Sequence, residues 1–315
     1  STGLAADQAV RTMGWRKVAE AELPTLAPST RLYLGAYADG VNDYLTKAGE
    51  PANLAIEYPL LATQLPEYRV EPWSAVDSLV WLKAMAYDLK GNFADELARG
   101  RLTGTLGAGL VGSLYPAYPT TEHPPILSTD DWSPATSSLR TTLPSALTLP
   151  AAQPATSAAA QPATSAALAP ELAAALTDPI AADAMAQASA LLAPLVPLLG
   201  RGDGVGSNSW VVGPKLTKSG KPLLANDPHL GVSIPSIWSQ VGLRCRTVST
   251  DCPFNVSGFA LAGVPGVIIG HNGSIAWGFT NLGPDVTDFF LERVTDTAYQ
   301  LDGRQVALQV TTETI

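Results

Sequence analysis

Gly206-Ser207-Asn208-Ser209-Trp210-Val211-Val212, reached through the glycine-rich approach RGDGVG at 201–206, is where the chain changes from helical to sheet-like sequence. After it, short β-rich runs such as SWVV, IWSQVGL, GVIIG, IAWGF and DFFLERV are separated by Gly, Pro, Asn and Asp turns, the pattern of strands joined by tight connections. Before it, the stretch up to about Leu127 reads as helical. Ser74 has the chemistry of an N-cap, with Asp77 three residues later at the head of VDSLVWLKAMAYDLKG, and Gly91 supplies the stop. An earlier helix runs from near Ser29 to Lys47, with Tyr33, Tyr37, Val41 and Tyr44 or Leu45 along one face and Gly49 just beyond it. Any amphipathic helix shows that spacing, so the aromatic stripe reads as core packing rather than as a ligand box.

The two regions are separated by sequence of a third kind. Between Pro134 and Gly200 the charged residues are Arg140, Glu171, Asp178 and Asp183, and AAQPATSA occurs at 151–158 and again at 159–166. Low-complexity sequence rich in Ala, Pro, Ser and Thr carries too little large apolar surface to build a core. It reads as a spacer, contributing nothing to the core, in which about Ala169 to Ala193 is compatible with an Ala/Leu helix. The division is therefore 1–127 mostly helical, 128–206 spacer, and 207–315 sheet-rich. These are two pieces of one α+β structure rather than independent domains.

A 315-residue chain with 46% apolar residues has enough material for a sizeable core, and its formal charge of -9 without a Lys/Arg cluster argues against nucleic acid or an anionic membrane as partner. A small molecule fits better. No run of eighteen apolar residues occurs, and Ser1 to Arg11 lacks the basic and apolar regions of a signal peptide. Cys245 and Cys252 are too few for a zinc site without nearby His; they suit either a hairpin-closing disulfide or, in a reducing compartment, two thiols.

Taken alone, Gly206-Ser207 is an ordinary turn pair. Its position gives it a second meaning, because cleavage between the two residues would set the serine hydroxyl beside a free α-amine. With an unperturbed pKa of about 7.7 to 8.0, that amine accepts the serine proton near neutral pH without a separate histidine.

The segments GSNSWVVGPKLTKSGKPLLANDPHLGVSIPSIW and GVPGVIIGHNGSIAWGFTNLGPDVTDFF resemble, in order and spacing, the penicillin acylase family of N-terminal-nucleophile hydrolases. YADGVNDYL, LPEYRVEPWSAVDSL and LKGNFADELAR resemble that family's α-chain. The resemblance implies an αββα sandwich, here partial, and a precursor split at Gly206/Ser207 into an α-chain and a β-chain with the spacer lost between them. It also implies an N-acyl amidohydrolase in the periplasm or outside the cell, acting on β-lactam side chains or related small N-acyl compounds without an organic cofactor. An acyl-homoserine-lactone acylase and a non-catalytic homologue are the alternatives.

Residue by residue, Ser207 matches the nucleophile. His229, in ANDPHLG, matches a position beside it that orients the amine or serine and helps bind the oxyanion, by side chain or backbone; the plainer reading is a loop histidine that caps a turn. Asn281, in WGFTNLG, matches the residue whose backbone N–H forms half of the oxyanion hole, where losing one donor costs about 2.7 to 4 kcal/mol. Asp285 and Asp288 match calcium-binding carboxylates, joined by Glu96 from the α-chain side. Hard oxygen ligands suit Ca2+ in a structural role, although two aspartates three apart are also ordinary turn formers. The second oxyanion donor, an Asn, is expected beyond Ile315, and the chain is expected to begin inside the family's α-chain, so these 315 residues alone are not expected to turn over substrate. His271 reads as a packing residue and His123 as a solvated one. Asn255 and Asn272 satisfy N-x-S patterns too weak to imply glycosylation.

Overall fold

A computed structural model of the chain describes residues 2–89, 93–116, 119, 121–124, 170–195, 200, 204–250, 252–283 and 287–315. Gly91, Asp285 and most of the spacer lie outside the described residues. The chain divides into two compact units, Ser1–Glu96 with Gln187–Ile315, and Leu97–Ala186.

The first unit opens with helices α1 (Thr2–Met13), α2 (Trp15–Glu22), α3 (Pro28–Ala48), α4 (Glu57–Gln64) and α5 (Ala75–Leu89). The start of α5 is held as its sequence predicts. The Ser74 N–H and hydroxyl donate to one carboxylate oxygen of Asp77, at 2.7 and 2.6 Å, so the third residue of the helix closes back on the cap. Arg16 of α2 binds the other Asp77 oxygen at 2.8 Å. Asn42 of α3 grips Trp73, accepting its N–H and donating to its carbonyl, both at 2.8 Å. An ion pair between Lys83 and Glu22 ties α5 to α2 a second time.

Two apolar clusters share α5. Leu79 packs with Ala19 and Leu34, flanked by Leu23 and Val76, which joins α5 to α2 and α3. Met85 packs with Leu261 and Val264, flanked by Trp81, Trp238 and Ile268, which joins α5 to the sheet. The six residues from Leu79 to Met85 turn the helix by about 240° in the direction of the chain, so the two clusters use different faces.

On α3 the buried residues are Leu34 and Ala38, whereas Tyr33 and Tyr44 are exposed. The predicted stripe is thus rotated by about one residue. Tyr33 lies at its flank, edge-on to Phe254 with ring centroids 5.8 Å apart, and the Tyr37 hydroxyl accepts the Gly263 N–H at 2.9 Å. A phenol that must keep its hydroxyl paired sits at the margin of a core more readily than Leu or Ala does.

After Ser207 the chain is antiparallel throughout its strand pairs. β1 (Asn208–Val212) pairs with β2 (Leu223–Asp227). A four-stranded meander follows: β3 (Trp238–Arg244), β4 (Asn255–Leu261), β5 (Ile269–Asn272) and β6 (Ala276–Trp277). Cys245 and Cys252 form a disulfide across the β3–β4 connection, with Cα atoms 5.9 Å apart. β7 (Ala298–Leu301) and β8 (Arg304–Ala307) form a last hairpin, turned by Asp302 and Gly303. DFFLERV, at 288–294 and predicted as a strand, is not one: among the described residues its last residue, Val294, makes an isolated bridge to Tyr299, and the Arg293 carbonyl accepts the Gln300 N–H at 3.0 Å. Apolar residues supply the preference for a strand, but a neighbouring backbone must accept the ladder.

In the second unit, α6 (Phe93–Leu106) continues from Leu97 and is followed by α7 (Ala108–Leu114), α8 (Pro170–Leu176) and α9 (Pro179–Leu192), whose last residues belong to the first unit. The low-complexity stretch contributes here, against expectation. Leu176 and Ala181 are buried, and a Cβ on Gly104 would lie 2.3 Å from the Leu176 carbonyl oxygen. Small residues let the two backbones approach, so Ala-rich sequence packs without large side chains.

Leu79→Ala empties the contact between α5 and its helical neighbours, and is expected to cost about 2–5 kcal/mol. Leu32→Ala, at a residue 69% exposed, is expected to change stability by no more than about 0.5 kcal/mol. Urea unfolding of both variants in the full-length protein checks the ordering, and equal losses would contradict this account of the core.

Candidate active site

Ser207 stands one residue before β1, whose pairing with β2 runs from Asn208↔Asp227 to Val212↔Leu223. The pairing is prolonged past the strand end by Gly206, whose N–H donates to the His229 carbonyl at 2.9 Å. The peptide group between Gly206 and Ser207 is thereby held on both sides.

His229 reaches this junction through its backbone and through its ring. Its Nδ1 lies 3.1 Å from the Asp227 carbonyl oxygen and 3.3 Å from an Asp227 carboxylate oxygen. A carbonyl only accepts, so this contact places a proton on Nδ1 and turns Nε2 to the other side of the ring. A Cβ on Gly206 would stand 2.9 Å from that Nε2, so the ring lies against Gly206 in space only a glycine leaves open. Among the described residues, His229 thus meets the residue before Ser207 with both its backbone and its ring.

Asn281 comes from the loop after β6. Its backbone N–H donates to the Ser207 Oγ at 3.2 Å. Its side chain is occupied elsewhere: Nδ2 donates to the Leu89 carbonyl at the end of α5 at 2.8 Å, and Oδ1 accepts the Gly283 N–H at 3.1 Å. A half-buried hydroxyl thus has a fixed backbone donor beside it and a carbonyl, that of Gly206, in the adjoining peptide group. Addition of the hydroxyl oxygen to a neighbouring carbonyl would develop negative charge within reach of that donor.

Of the acidic residues, Glu96 reaches the segment that carries Asp288. Glu96 accepts the Phe289 N–H at 3.1 Å through Oε1, while its Oε2 is buried without a hydrogen-bond partner. Asp288, the neighbour of Phe289, is exposed. Asp285 falls outside the described residues, and among the described residues no group of three His, Cys, Asp or Glu side chains could hold a metal ion. His271 sits in β5, paired with Ser257 and Ala276, and is exposed, as is His123. Asn272 accepts the Ser274 and Ile275 N–H groups at 2.8 Å, as a turn-former does.

One residue at the site is absent from the sequence reading. Asn226, on β2, donates through Nδ2 to the carbonyls of Asn208 at 2.9 Å and Phe279 at 3.0 Å, and accepts the Phe279 N–H through Oδ1 at 3.0 Å. Within LLANDP an asparagine before Asp-Pro reads as an ordinary turn residue, and nothing local marks it otherwise.

Comparison with known proteins gives one consistent result. The family model described as penicillin amidase matches residues 1–315. An acyl-homoserine lactone acylase, QuiP, from Pseudomonas aeruginosa is 28% identical over 290 residues, covering 91% of this chain and 27% of the relative. Penicillin acylase 2 proenzyme from Pseudomonas sp. strain SE83 is 30% identical over 303 residues, 95% of this chain and 31% of the relative. Penicillin G acylase from Escherichia coli is 33% identical over 89 residues, 28% of this chain and 10% of the relative. The chain thus spans about a third or less of the length of these curated relatives, 27% and 31% for the two that match along most of it.

Proposed function

This chain belongs to the penicillin amidase family, and on that premise we propose that the full-length protein is an N-acyl amidohydrolase whose nucleophile is Ser207. The observation that carries the reading is the Asn281 N–H at 3.2 Å from the Ser207 Oγ, at a junction gripped by His229. The fold of the whole is the αββα sandwich of N-terminal-nucleophile hydrolases, of which these helices and antiparallel sheets are a part.

The chemistry runs in two stages on the same atoms. In the precursor, the Ser207 Oγ adds to the Gly206 carbonyl carbon, the C–N bond breaks, and an ester forms as the α-amine of Ser207 is released. Water hydrolyses the ester, leaving an α-chain that ends at Gly206 and a β-chain that begins with Ser207. In the processed heterodimer the α-amine takes the Oγ proton, Oγ adds to the substrate's amide carbonyl, and the amine product leaves with a proton. Water then releases the acid from the acyl-enzyme. The Asn281 N–H stabilises the oxyanion in each stage, and His229 holds the ground near Gly206 through its carbonyl and ring. No organic cofactor is required.

Among N-acyl substrates, acyl-homoserine lactones form the narrower second reading, favoured by a relative of that name matching 91% of the chain. The Cys245–Cys252 disulfide supports a periplasmic or extracellular location, where such bonds persist. Among the described residues, no helix is long and apolar enough to cross a membrane.

Calcium fits the acidic residues on one observation, the buried Glu96 Oε2 without a donor. A carboxylate oxygen stripped of water costs free energy unless a cation or donor meets it. Glu96 with Asp285 and Asp288 would hold the ion, which would neutralise their charge and stabilise the fold.

Ser207→Ala is expected to leave the full-length protein as one uncut chain without amidase activity, while the wild type splits between Gly206 and Ser207, as intact-mass measurement would record. An uncut wild type with full activity would overturn the reading. Hydrolysis rates on N-octanoyl-homoserine lactone against phenylacetyl amides decide the substrate class. EGTA is expected to lower the melting temperature of the full-length protein by several degrees, an effect abolished in Glu96→Gln. Absence of calcium in metal analysis together with an unshifted melting curve would remove the metal from the account.

A further inference from the structure

We propose that Asn226 is a positioning residue that sets the separation between the nucleophile and its oxyanion donor. The inference rests on the reading of Ser207 as nucleophile. The Asn226 amide has two donors and an acceptor, and all are used on backbone at the site: Nδ2 bonds the Asn208 carbonyl at 2.9 Å and the Phe279 carbonyl at 3.0 Å, and Oδ1 accepts the Phe279 N–H at 3.0 Å. Asn208 directly follows Ser207, and Phe279 lies two residues before Asn281. One side chain therefore spans from the strand that presents the hydroxyl to the loop that presents the N–H.

The loop can come this close because residue 278 is glycine. A Cβ there would stand 2.8 Å from the Asn226 Oδ1 and 2.9 Å from its Cβ and Cγ. The β1–β2 hairpin does not depend on the contact, since its five register pairs run backbone to backbone from Asn208↔Asp227 to Val212↔Leu223. What depends on it is the loop, which follows β6 and has no ladder partner of its own from Gly278 to Asn281. Its other anchor is the Asn281 side chain on the Leu89 carbonyl at 2.8 Å. The donor is thus fixed from two sides, toward α5 by Asn281 itself and toward Ser207 by Asn226.

The chemistry at this position calls for asparagine. Aspartate has the same shape but no donors, and would set a carboxylate oxygen against the two carbonyls that Nδ2 now bonds. Glutamine carries the same groups one methylene farther out. A backbone donor displaced from the developing oxyanion loses stabilisation in the transition state and not in the bound substrate, so the effect falls on kcat rather than on KM.

The test uses the full-length protein as wild type, Asn226→Asp, Gly278→Ala and Ser207→Ala, with the rate of splitting at Gly206/Ser207, the kcat and KM of the processed enzyme on its best amide, and the melting temperature as readouts. Asn226→Asp and Gly278→Ala are expected to slow splitting and lower kcat by about 10- to 100-fold, less than the roughly 100- to 1000-fold for outright loss of one oxyanion donor, because the donor is displaced and not removed. KM should stay within about twofold and the melting temperature within about two degrees. If Asn226→Asp does not fold, Gly278→Ala decides by the same criterion, because it leaves the amide in place and only crowds it. Wild-type rates in a folded variant overturn the proposal, as does a loss confined to KM or to melting temperature. Splitting of Ser207→Ala would instead remove the nucleophile, and the positioning role with it, whereas an uncut Ser207→Ala beside a fully active Asn226→Asp would remove the positioning role alone.

Discussion

Helix α5 must bury two faces at once, and the first unit is arranged around that constraint. Leu79 turns toward Ala19 and Leu34 on the helical side, while Met85 turns toward Leu261 and Val264 on the sheet side. A helix exposed on either face would leave large side chains in water at roughly 25 cal/mol per Å2 of apolar area. The polar contacts at its start fit the same arrangement. Asp77 serves as cap acceptor for Ser74 and ion-pair partner for Arg16, so the entry of the helix is fixed in both register and direction.

That rigid helix is felt at the site through its far end. The carbonyl of Leu89, one of those a helix leaves unpaired at its C-terminus, accepts the Asn281 side chain. A backbone donor catalyses only when it is already aimed before charge develops, because reorientation during the reaction would cost back what the hydrogen bond contributes. Loops are the least constrained parts of a fold, so a donor on a loop needs such anchors. Here they come from an unpaired helix carbonyl on one side and the β2 side-chain amide on the other.

The junction at Ser207 illustrates a related economy. Gly206 is pinned by its N–H to the His229 carbonyl and covered by the His229 ring, which fits only over a residue without a side chain. The peptide group before Ser207 is therefore ordered by backbone and sterics, leaving the hydroxyl free to face Asn281. The disulfide at the end of the β3–β4 hairpin lies in the meander against which α5 packs, and reinforces the layer on which that helix rests.

Local features alone could be read along the chain: the cap at Ser74 and Asp77, the helices α3 and α5, the strands β1, β3 and β5, and the change of character at Ser207. Each depends on residues within a few positions of one another, through i to i+3 hydrogen bonds or the alternation of a strand, so each is written in the immediate pattern. Ser207, His229 and Asn281 stood out as candidates only through family motifs, which carry distant geometry in condensed form. Packing between distant segments chose the rest. Which face of α3 is buried depends on Leu34 meeting Leu79, and Tyr37 finds Gly263 across 226 positions of chain. Asn226 bonds Phe279 across 53 positions and Asn281 bonds Leu89 across 192. An asparagine carries the same donors and acceptor in a turn as in a site; its partners are chosen by which backbones folding brings within 3 Å, and that is a property of the packed chain.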